Sequence, residues 1–204
     1  MYIDLDSASP SQAYFHMIQT LVPRPIAWVL SEHGNGSYNL APFSYFTSVC
    51  SDPPLLMLSI GHKPDSMPKD TLSNIEERRH FVVHIAHSDL LEPLNASSAT
   101  LAAGDSEVTQ LDLPTTDFTG FTLPRLADCR VAYACELYEV QHIGRHRQAL
   151  LFGQVHSIFI DDAVARHDPQ GRIKVDNEQL DPLGRLGASE YLVRGKVVRR
   201  ARPK

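Results

Sequence analysis

The sequence is short of the features that mark three common classes of protein. Its 204 residues include three cysteines, Cys50, Cys129 and Cys135, which have neither the even number of a disulfide framework nor the close spacing of a zinc site. No stretch approaches the roughly 20 apolar residues that a membrane span needs. The formal net charge is −5, and Lys and Arg form no run before the last dozen residues, which argues against a dedicated nucleic-acid binder.

The familiar catalytic and targeting signatures are lacking as well. The chain has no GxSxG, HExxH, paired CxxC, Walker loop or strand-linked GxGxxG. His142 and His146 are four residues apart, but the surrounding pattern is strand and turn, so no metal site is predicted. Residues 1–18 have no charged leader followed by an apolar core, so no secretory signal is expected. With reduced thiols, these absences predict a cytoplasmic protein with no membrane or nucleic-acid partner.

What the chain has in quantity is strand signal. Apolar residues make up 43% of the sequence and charged residues 21%, as in ordinary globular proteins. Apolar, β-rich segments occupy 25–31, 38–51, 55–61, 80–87, 129–144 and 148–162. A short helix is predicted from about Thr71 to Arg79, and a long ordered loop at 165–191. Short strands with few helices favour one closed β-barrel domain with helical inserts.

Hydroxyl groups are concentrated on one of these strands. Ser44, Thr47, Ser48 and Ser51 all lie in the segment "FSYFTSVCS". In a strand, Ser44 and Ser48 share one face, while Tyr45 and Thr47 take the other. The plain alternative is that Ser and Thr fit a half-exposed strand through their β-propensity.

The same strand has the side chains that a phosphorylated planar ligand needs. Hydroxyls, backbone N–H groups and the nearby Lys69 are suited to an anionic phosphate. Tyr45, Phe46 and Trp28 are candidates for the apolar walls around a ring. The pattern therefore indicates a binding site for such a ligand, or else only a polar strand.

The segment Lys69-Asp70-Thr71 has a similar ambiguity. Asp70 or Thr71 is a good helix N-cap, and Ser73 with Glu76 offers an alternative capping box. A helix N-terminus also favours phosphate, and capping leaves Lys69 unexplained. Asp70 would repel a phosphate unless its carboxylate capped the helix or paired with a cation. The residues alone leave both interpretations open.

Several motifs together resemble the flavin reductase-like proteins that have an FMN-binding split barrel. PRPIAW, NLAPFSYF, SDPP and KDT occur in the family's order, followed by LPRLADCRVAYACEL, LLFGQV and LDPLGRLGASEY. The resemblance covers about residues 15–192. It implies a mainly β fold, a six-stranded antiparallel split β-barrel of Greek-key type with peripheral helices. Residues 1–204 would form a single domain with its core at about 15–192 and a basic C-terminal tail at 193–204.

The resemblance also implies a cofactor site in a homodimer, with one FMN per subunit near the interface. Lys69 and Thr71 would reach the phosphate, and Asp70 would organise that turn. Tyr191 would help to close the site from the dimer partner. The full set of implied cofactor-binding positions, with the first three as contact or support, is Arg24, Trp28, Asn39, Ser44, Tyr45, Phe46, Thr47, Ser48, Lys69, Asp70, Thr71 and Tyr191.

The activity implied by the resemblance is that of an NAD(P)H-dependent flavin reductase. NAD(P)H would be the co-substrate and a flavin or another small molecule the electron acceptor, with no catalytic side chain because the flavin carries the chemistry. Two positions depart from the family pattern. Arg147-Gln148 stands where many nicotinamide-dependent members have Gly-Asp-His, and Ala188 replaces a glycine. The first departure keeps open the alternative of a non-enzymatic FMN-binding electron-transfer protein.

Overall fold

Strands dominate the computed structural model of the chain, which describes residues 1–200. The strands, in chain order, are β1 (Arg24–Pro25), β2 (Ala27–Glu32), β3 (Tyr38–Phe43), β4 (Phe46–Ser51), β5 (Pro54–Ile60), β6 (His80–Ile85), β7 (Thr115–Thr116), β8 (Arg125–Leu126), β9 (Val131–Ile143), β10 (Gln148–Ile160), β11 (Ala165–His167), β12 (Ile173–Val175), β13 (Gly184–Arg185) and β14 (Tyr191–Leu192). The helices are α1 (Pro10–Thr20), α2 (Asp70–Arg78), α3 (Leu91–Ala96), α4 (Glu107–Gln110) and α5 (Asn177–Leu180), with a 3₁₀ turn at Ser88–Leu90. Within residues 1–200, no helix is both long and apolar enough to cross a bilayer.

Seven strands form the main antiparallel sheet, in the order β3-β2-β6-β9-β10-β5-β4. Although β3 and β4 lie at opposite edges of this sheet, only Ser44 and Tyr45 separate them in the chain. Three Cα–Cα steps span at most about 11 Å, so the sheet must curl until its two edges meet at this corner. The predicted mainly β, split-barrel class is therefore confirmed.

The sheet has seven strands rather than the six expected, because the segment 38–51 is not one continuous strand. A bend at Ser44–Tyr45 divides it into β3 and β4. Consequently, the predicted alternation of faces across residues 44–48 does not hold. The segment 165–191 also has more structure than a loop, since it contains the β11–β12 hairpin, α5 and β13.

Both faces of the sheet are buried at its strands β2 and β6, each against its own cluster. Along β2, Trp28 and Leu30 enter one cluster, whereas Ala27 and Val29 enter the other. This alternation follows from the period of two in a strand. The second cluster also takes in Leu72 of α2, and so the helix predicted at this point is held by its apolar face.

One glycine of the sheet is required by close packing. A Cβ at Gly153 of β10 would overlap Cζ of Phe81, a wholly buried residue of β6. Since Phe81 is enclosed on all sides, it has little room to move away.

The part of the predicted basic tail at 201–204 lies outside the described residues.

Candidate functional site

A cavity of about 330 Å³ lies at the start of α2. Its walls come from β3, the turn at residues 62–64, the first residues of α2, the segment 97–101 that follows α3, and Glu107 of α4. Four of the predicted site residues line it together, namely Asn39, Lys69, Asp70 and Thr71. The structure thus brings one predicted group of site residues into a single concave surface.

Lys69 supplies the unpaired positive charge of this cavity. The residue is half-buried, and its Nζ lies 5.5 Å from the centroid of the Phe43 ring. Burial lowers the pKa of the Lys69 ammonium because the charged form loses hydration. Within the described chain, the side chain of Lys69 makes no ion pair and no hydrogen bond. Such a cation favours an anionic ligand in the cavity.

The Asp70 carboxylate does not neutralise the Lys69 ammonium, because it is already paired with another lysine. Lys63 Nζ lies 2.7 Å from Asp70 Oδ1, and both side chains are largely buried. The prediction that Asp70 or Thr71 is the N-cap is wrong. Lys69 occupies that position with an extended backbone and no capping side chain, since the Asp70 carboxylate turns to Lys63 instead. The Ser73–Glu76 capping box does not form either.

Two backbone donors are free at the start of α2. The N–H groups of Leu72 and Ser73 both reach the carbonyl of Lys69. Those of Asp70 and Thr71 make no hydrogen bond among residues 1–200. They therefore remain available to an anion at this helix terminus.

Thr71 adds a hydroxyl whose direction is constrained. The residue is 1% exposed, and its Oγ1 accepts a hydrogen bond of 2.9 Å from Asn39 Nδ2. Glu107, which also lines the cavity, is buried, and its Oε2 accepts from the Leu40 N–H at 2.8 Å. Burial raises the pKa of Glu107. The cavity therefore has a cationic, donor-rich end and an acceptor at Glu107.

Residues Ser44 to Ser48 form a second group that does not line this cavity. Ser44 accepts from Arg24 Nε at 3.4 Å, and Tyr45 offers its carbonyl to Ser59 N–H at 2.9 Å. The other three, Phe46, Thr47 and Ser48, lie on the edge strand β4, where Thr47 and Ser48 are exposed.

Phe43 connects the two groups. Phe43 ends β3, directly precedes the Ser44–Tyr45 bend, and has the Lys69 ammonium over its ring. The residues from Ser44 to Ser48 therefore come directly after Phe43 in the chain, and the contact between Phe43 and Lys69 joins them to the cavity.

The prediction that Trp28 forms a ligand wall is wrong. Trp28 is wholly buried, because the alternation along β2 directs it into the core. Its Nε1 donates to Ser97 Oγ at 2.8 Å, so it supports the cavity wall indirectly. Arg24, 5% exposed, is likewise a support.

The supporting contacts of Arg24 tie three parts of the chain together. Its guanidinium donates to the carbonyls of Ile18, Leu21 and Leu186. Through them the end of α1 is fixed against the segment before β14.

Tyr191 lies outside the cavity. Its Oη donates to Asn95 Oδ1 at 3.0 Å, and its ring stacks on the Arg185 guanidinium, 4.4 Å from the ring centroid. Asn95 belongs to α3, which leads into the cavity segment 97–101. Closure of a partner's site by Tyr191 stays a prediction.

The sequence reasoning missed three parts of the cavity. Lys63 lies in the turn seven residues before Asp70, and this short spacing was the signal in the sequence from which their ion pair could have been predicted. Glu107 and the segment 97–101 are distant in sequence from the motifs, and no pattern indicated them.

Gln148, one of the two residues at the first departure from the family pattern, has a structural role, because its Nε2 donates a hydrogen bond to Ser59 Oγ at 3.1 Å. Among residues 1–200, no three His, Cys, Asp or Glu side chains are grouped to hold a metal ion.

Comparison with known proteins agrees with this architecture. The sequence profile described as "Flavin reductase like domain" matches residues 19–172. The nitrilotriacetate monooxygenase component B of Bacillus cereus is 26% identical and superposes with a TM-score of 0.88 over 98% of both chains. The 2-nitrobenzoate 2-nitroreductase NbaA of Pseudomonas fluorescens is 28% identical, with a TM-score of 0.87 over 100% of this chain and 96% of the other. A split barrel domain protein of Shewanella frigidimarina, 19% identical, has the same fold, with a TM-score of 0.83 over 100% of both chains.

Proposed function

Since this chain belongs to the flavin reductase-like family, we propose that it is an FMN-binding oxidoreductase that passes reducing equivalents from NAD(P)H to a flavin or another small acceptor. The observation that carries the proposal is the half-buried Lys69, a cation with no acidic partner among residues 1–200, at the start of α2. Two similar proteins are by name a monooxygenase component and a nitroreductase, which supports redox chemistry on a small molecule.

The residues of the cavity fit the phosphate end of FMN. Lys69 offers a charge, Thr71 a hydroxyl, and the first turn of α2 two free N–H groups. Lys63 keeps the Asp70 carboxylate from repelling the phosphate. A phosphate dianion needs this combination of charge and directed donors. These residues would hold the cofactor.

The ring of FMN would be held by the second group of residues, which follows Phe43 in the chain. Tyr45 and Phe46 are half-buried and offer apolar surface, while Thr47 and Ser48 on β4 offer hydroxyls and backbone polar groups. The chemistry that FMN supplies when bound is two-electron transfer, here from NAD(P)H, which is oxidised to NAD(P)⁺, to an acceptor that is thereby reduced. The task of the side chains is to bind and orient, and none has to carry a proton in this proposal.

A homodimer is part of the proposal. The helix α1 has no buried residue, and Tyr14, Phe15 and Met17 on it are each about half exposed. Tyr14 lies beside Tyr45, with ring centroids 6.4 Å apart, so this apolar surface adjoins the residues assigned to the ring. An exposed apolar surface of this kind is typical of a protein–protein interface, and here it would be covered by the second subunit.

A cytoplasmic location is retained as a prediction.

Titration of the purified protein with FMN tests the proposal directly. Quenching of flavin fluorescence with a one-to-one endpoint per chain is the expected result, followed by bleaching of the visible flavin absorption on addition of NADH or NADPH without oxygen. Protein that leaves FMN fluorescence unchanged would overturn the proposal.

The alternative is a protein that binds FMN and transfers electrons without oxidising NAD(P)H itself. It is favoured by Gln148, whose amide is bonded to Ser59 where related reductases have a histidine nearby. Stopped-flow mixing separates the two functions. Rapid bleaching by either nicotinamide supports the reductase, whereas bleaching by dithionite alone supports the electron-transfer protein.

A further inference from the structure

A buried chain of hydrogen bonds runs from the segment just before α4 to the cavity. It begins at the carbonyl of Asp105 and passes through His33, Asn74, Ser31 and Asn39 to Thr71. The last five of these residues are each at most 6% exposed. The chain connects β2, β3 and α2, and it ends at the hydroxyl assigned above to the FMN phosphate.

The direction of its first bonds is fixed by the carbonyl at its start. The carbonyl of Asp105 can only accept, so His33 Nε2, at 3.1 Å, has the proton. In the neutral imidazole the other nitrogen, Nδ1, then accepts. Its partner at 3.2 Å is therefore the amide nitrogen of Asn74, which donates. The second hydrogen of that amide goes to Ser31 Oγ at 3.3 Å.

The bonds of Asn39 follow the same direction. Its Nδ2 donates one hydrogen to Ser31 Oγ at 3.3 Å and the other to Thr71 Oγ1 at 2.9 Å. Ser31 Oγ thus accepts from two amides, which uses both of its lone pairs. Thr71 accepts from Asn39, and within residues 1–200 its own hydroxyl hydrogen has no acceptor. That hydrogen is free to be donated into the cavity.

From this arrangement we infer that Asn39 is a positioning residue, which makes the Thr71 hydroxyl a hydrogen-bond donor toward the phosphate of the ligand. The inference rests on the function proposed above. Without the amide of Asn39, the hydroxyl would be free to rotate and to point its lone pairs at the phosphate. Asn39 acts through Thr71, so its effect is confined to ligands that have the phosphate.

The test is a double-mutant cycle on the preference for FMN over riboflavin, which lacks only the phosphate. The dissociation constants of both ligands are measured by fluorescence quenching for the wild type, Asn39→Leu, Thr71→Val and the double variant. Each single substitution is expected to lower the ratio of the riboflavin constant to the FMN constant by about tenfold. In the Thr71→Val background, Asn39→Leu should lower this ratio no further.

The outcomes separate this inference from the proposed function. A wild type that does not prefer FMN over riboflavin overturns the function of the cavity itself. A clear preference that Asn39→Leu leaves intact, or lowers equally in both backgrounds, overturns the role of Asn39 alone. A general loss of packing would weaken both ligands together and leave the ratio unchanged, and this also counts against the inference. If Asn39→Leu does not fold, as judged by its thermal unfolding, Asn39→Ala replaces it in the same cycle.

Discussion

Removal of the Lys69 ammonium should weaken the binding of FMN much more than that of riboflavin. The ammonium is half-buried and meets no carboxylate among residues 1–200, so its charge is available to the ligand. A charge-assisted hydrogen bond contributes about 1.5–3 kcal/mol. Loss of that bond in Lys69→Met corresponds to a roughly 10- to 150-fold rise in the dissociation constant of FMN.

Removal of Lys69 should not destabilise the protein in the absence of ligand. Because burial lowers the pKa of this ammonium, the folded state disfavours its charged form. We therefore expect Lys69→Met to unfold at the same or a higher urea concentration than the wild type. This opposite effect on stability and on binding distinguishes a ligand contact from a structural one.

The assay is a pair of fluorescence titrations, with FMN and with riboflavin, on Lys69→Met and on a matched control. Lys174→Met is the control, since Lys174 is an exposed lysine on β12, a strand outside the main sheet. It should leave both dissociation constants unchanged. An FMN constant that stays at the wild-type value in Lys69→Met, or a riboflavin constant that rises equally, would refute the assignment of Lys69 to the phosphate.

Three further predictions concern the framework of the site, each checked by urea unfolding. Gly153→Ala should lower the free energy of unfolding by about 1–3 kcal/mol through overpacking, while Gly61→Ala, whose added Cβ would lie 3.6 Å from its nearest neighbour, should have little effect. Ser97→Ala should cost about 1–3 kcal/mol because it leaves the buried indole N–H of Trp28 without an acceptor. His84, whose pKa burial lowers to about 4, should make stability fall by up to about 3 kcal/mol as the pH drops from 6.5 to 4.

The sign of the His84 effect follows from where the proton binds. The unfolded chain takes up a proton near pH 6.5, whereas the folded protein keeps the ring neutral, with Nε2 accepting from Leu126 N–H and Nδ1 donating to the carbonyl of Trp28. Between the two pKa values, the unfolded state therefore binds more protons and gains stability as the pH falls. His84→Gln should show a shallower slope of stability against pH in this range. An unchanged slope, or an unaltered unfolding curve in Gly153→Ala or Ser97→Ala, would contradict the corresponding prediction.

Local patterns in the sequence predicted the segments that form the main sheet, because alternation and chain breakers act over a few residues. The strand β2, the start of β3 and the helix α2 appear within two residues of their expected positions. The bend at Ser44–Tyr45 could not be predicted in this way. Neither residue of the bend is glycine or proline, and the bend results from the closure of the sheet, which is a property of the whole fold.

The candidate site was predictable only where its residues belong to motifs. Lys69, Asp70 and Thr71 are adjacent in sequence, and Asn39 lies in a motif on the strand beside them. Whether Trp28 faces a ligand or the core depends on which surface of β2 is covered, and in the fold both are. The role of Glu107 depends on the packing of α4 against β3, which no local pattern reports.

The cavity places a positive group on a protein whose formal net charge is −5, and this combination governs the kinetics of binding. At distance, the field of the whole chain repels the FMN dianion, and added salt screens that repulsion. The contact at Lys69 is partly buried and is screened much less. Moderate salt should therefore speed the association of FMN while leaving its dissociation nearly constant. The affinity for FMN would then come from a low dissociation rate rather than from a high association rate.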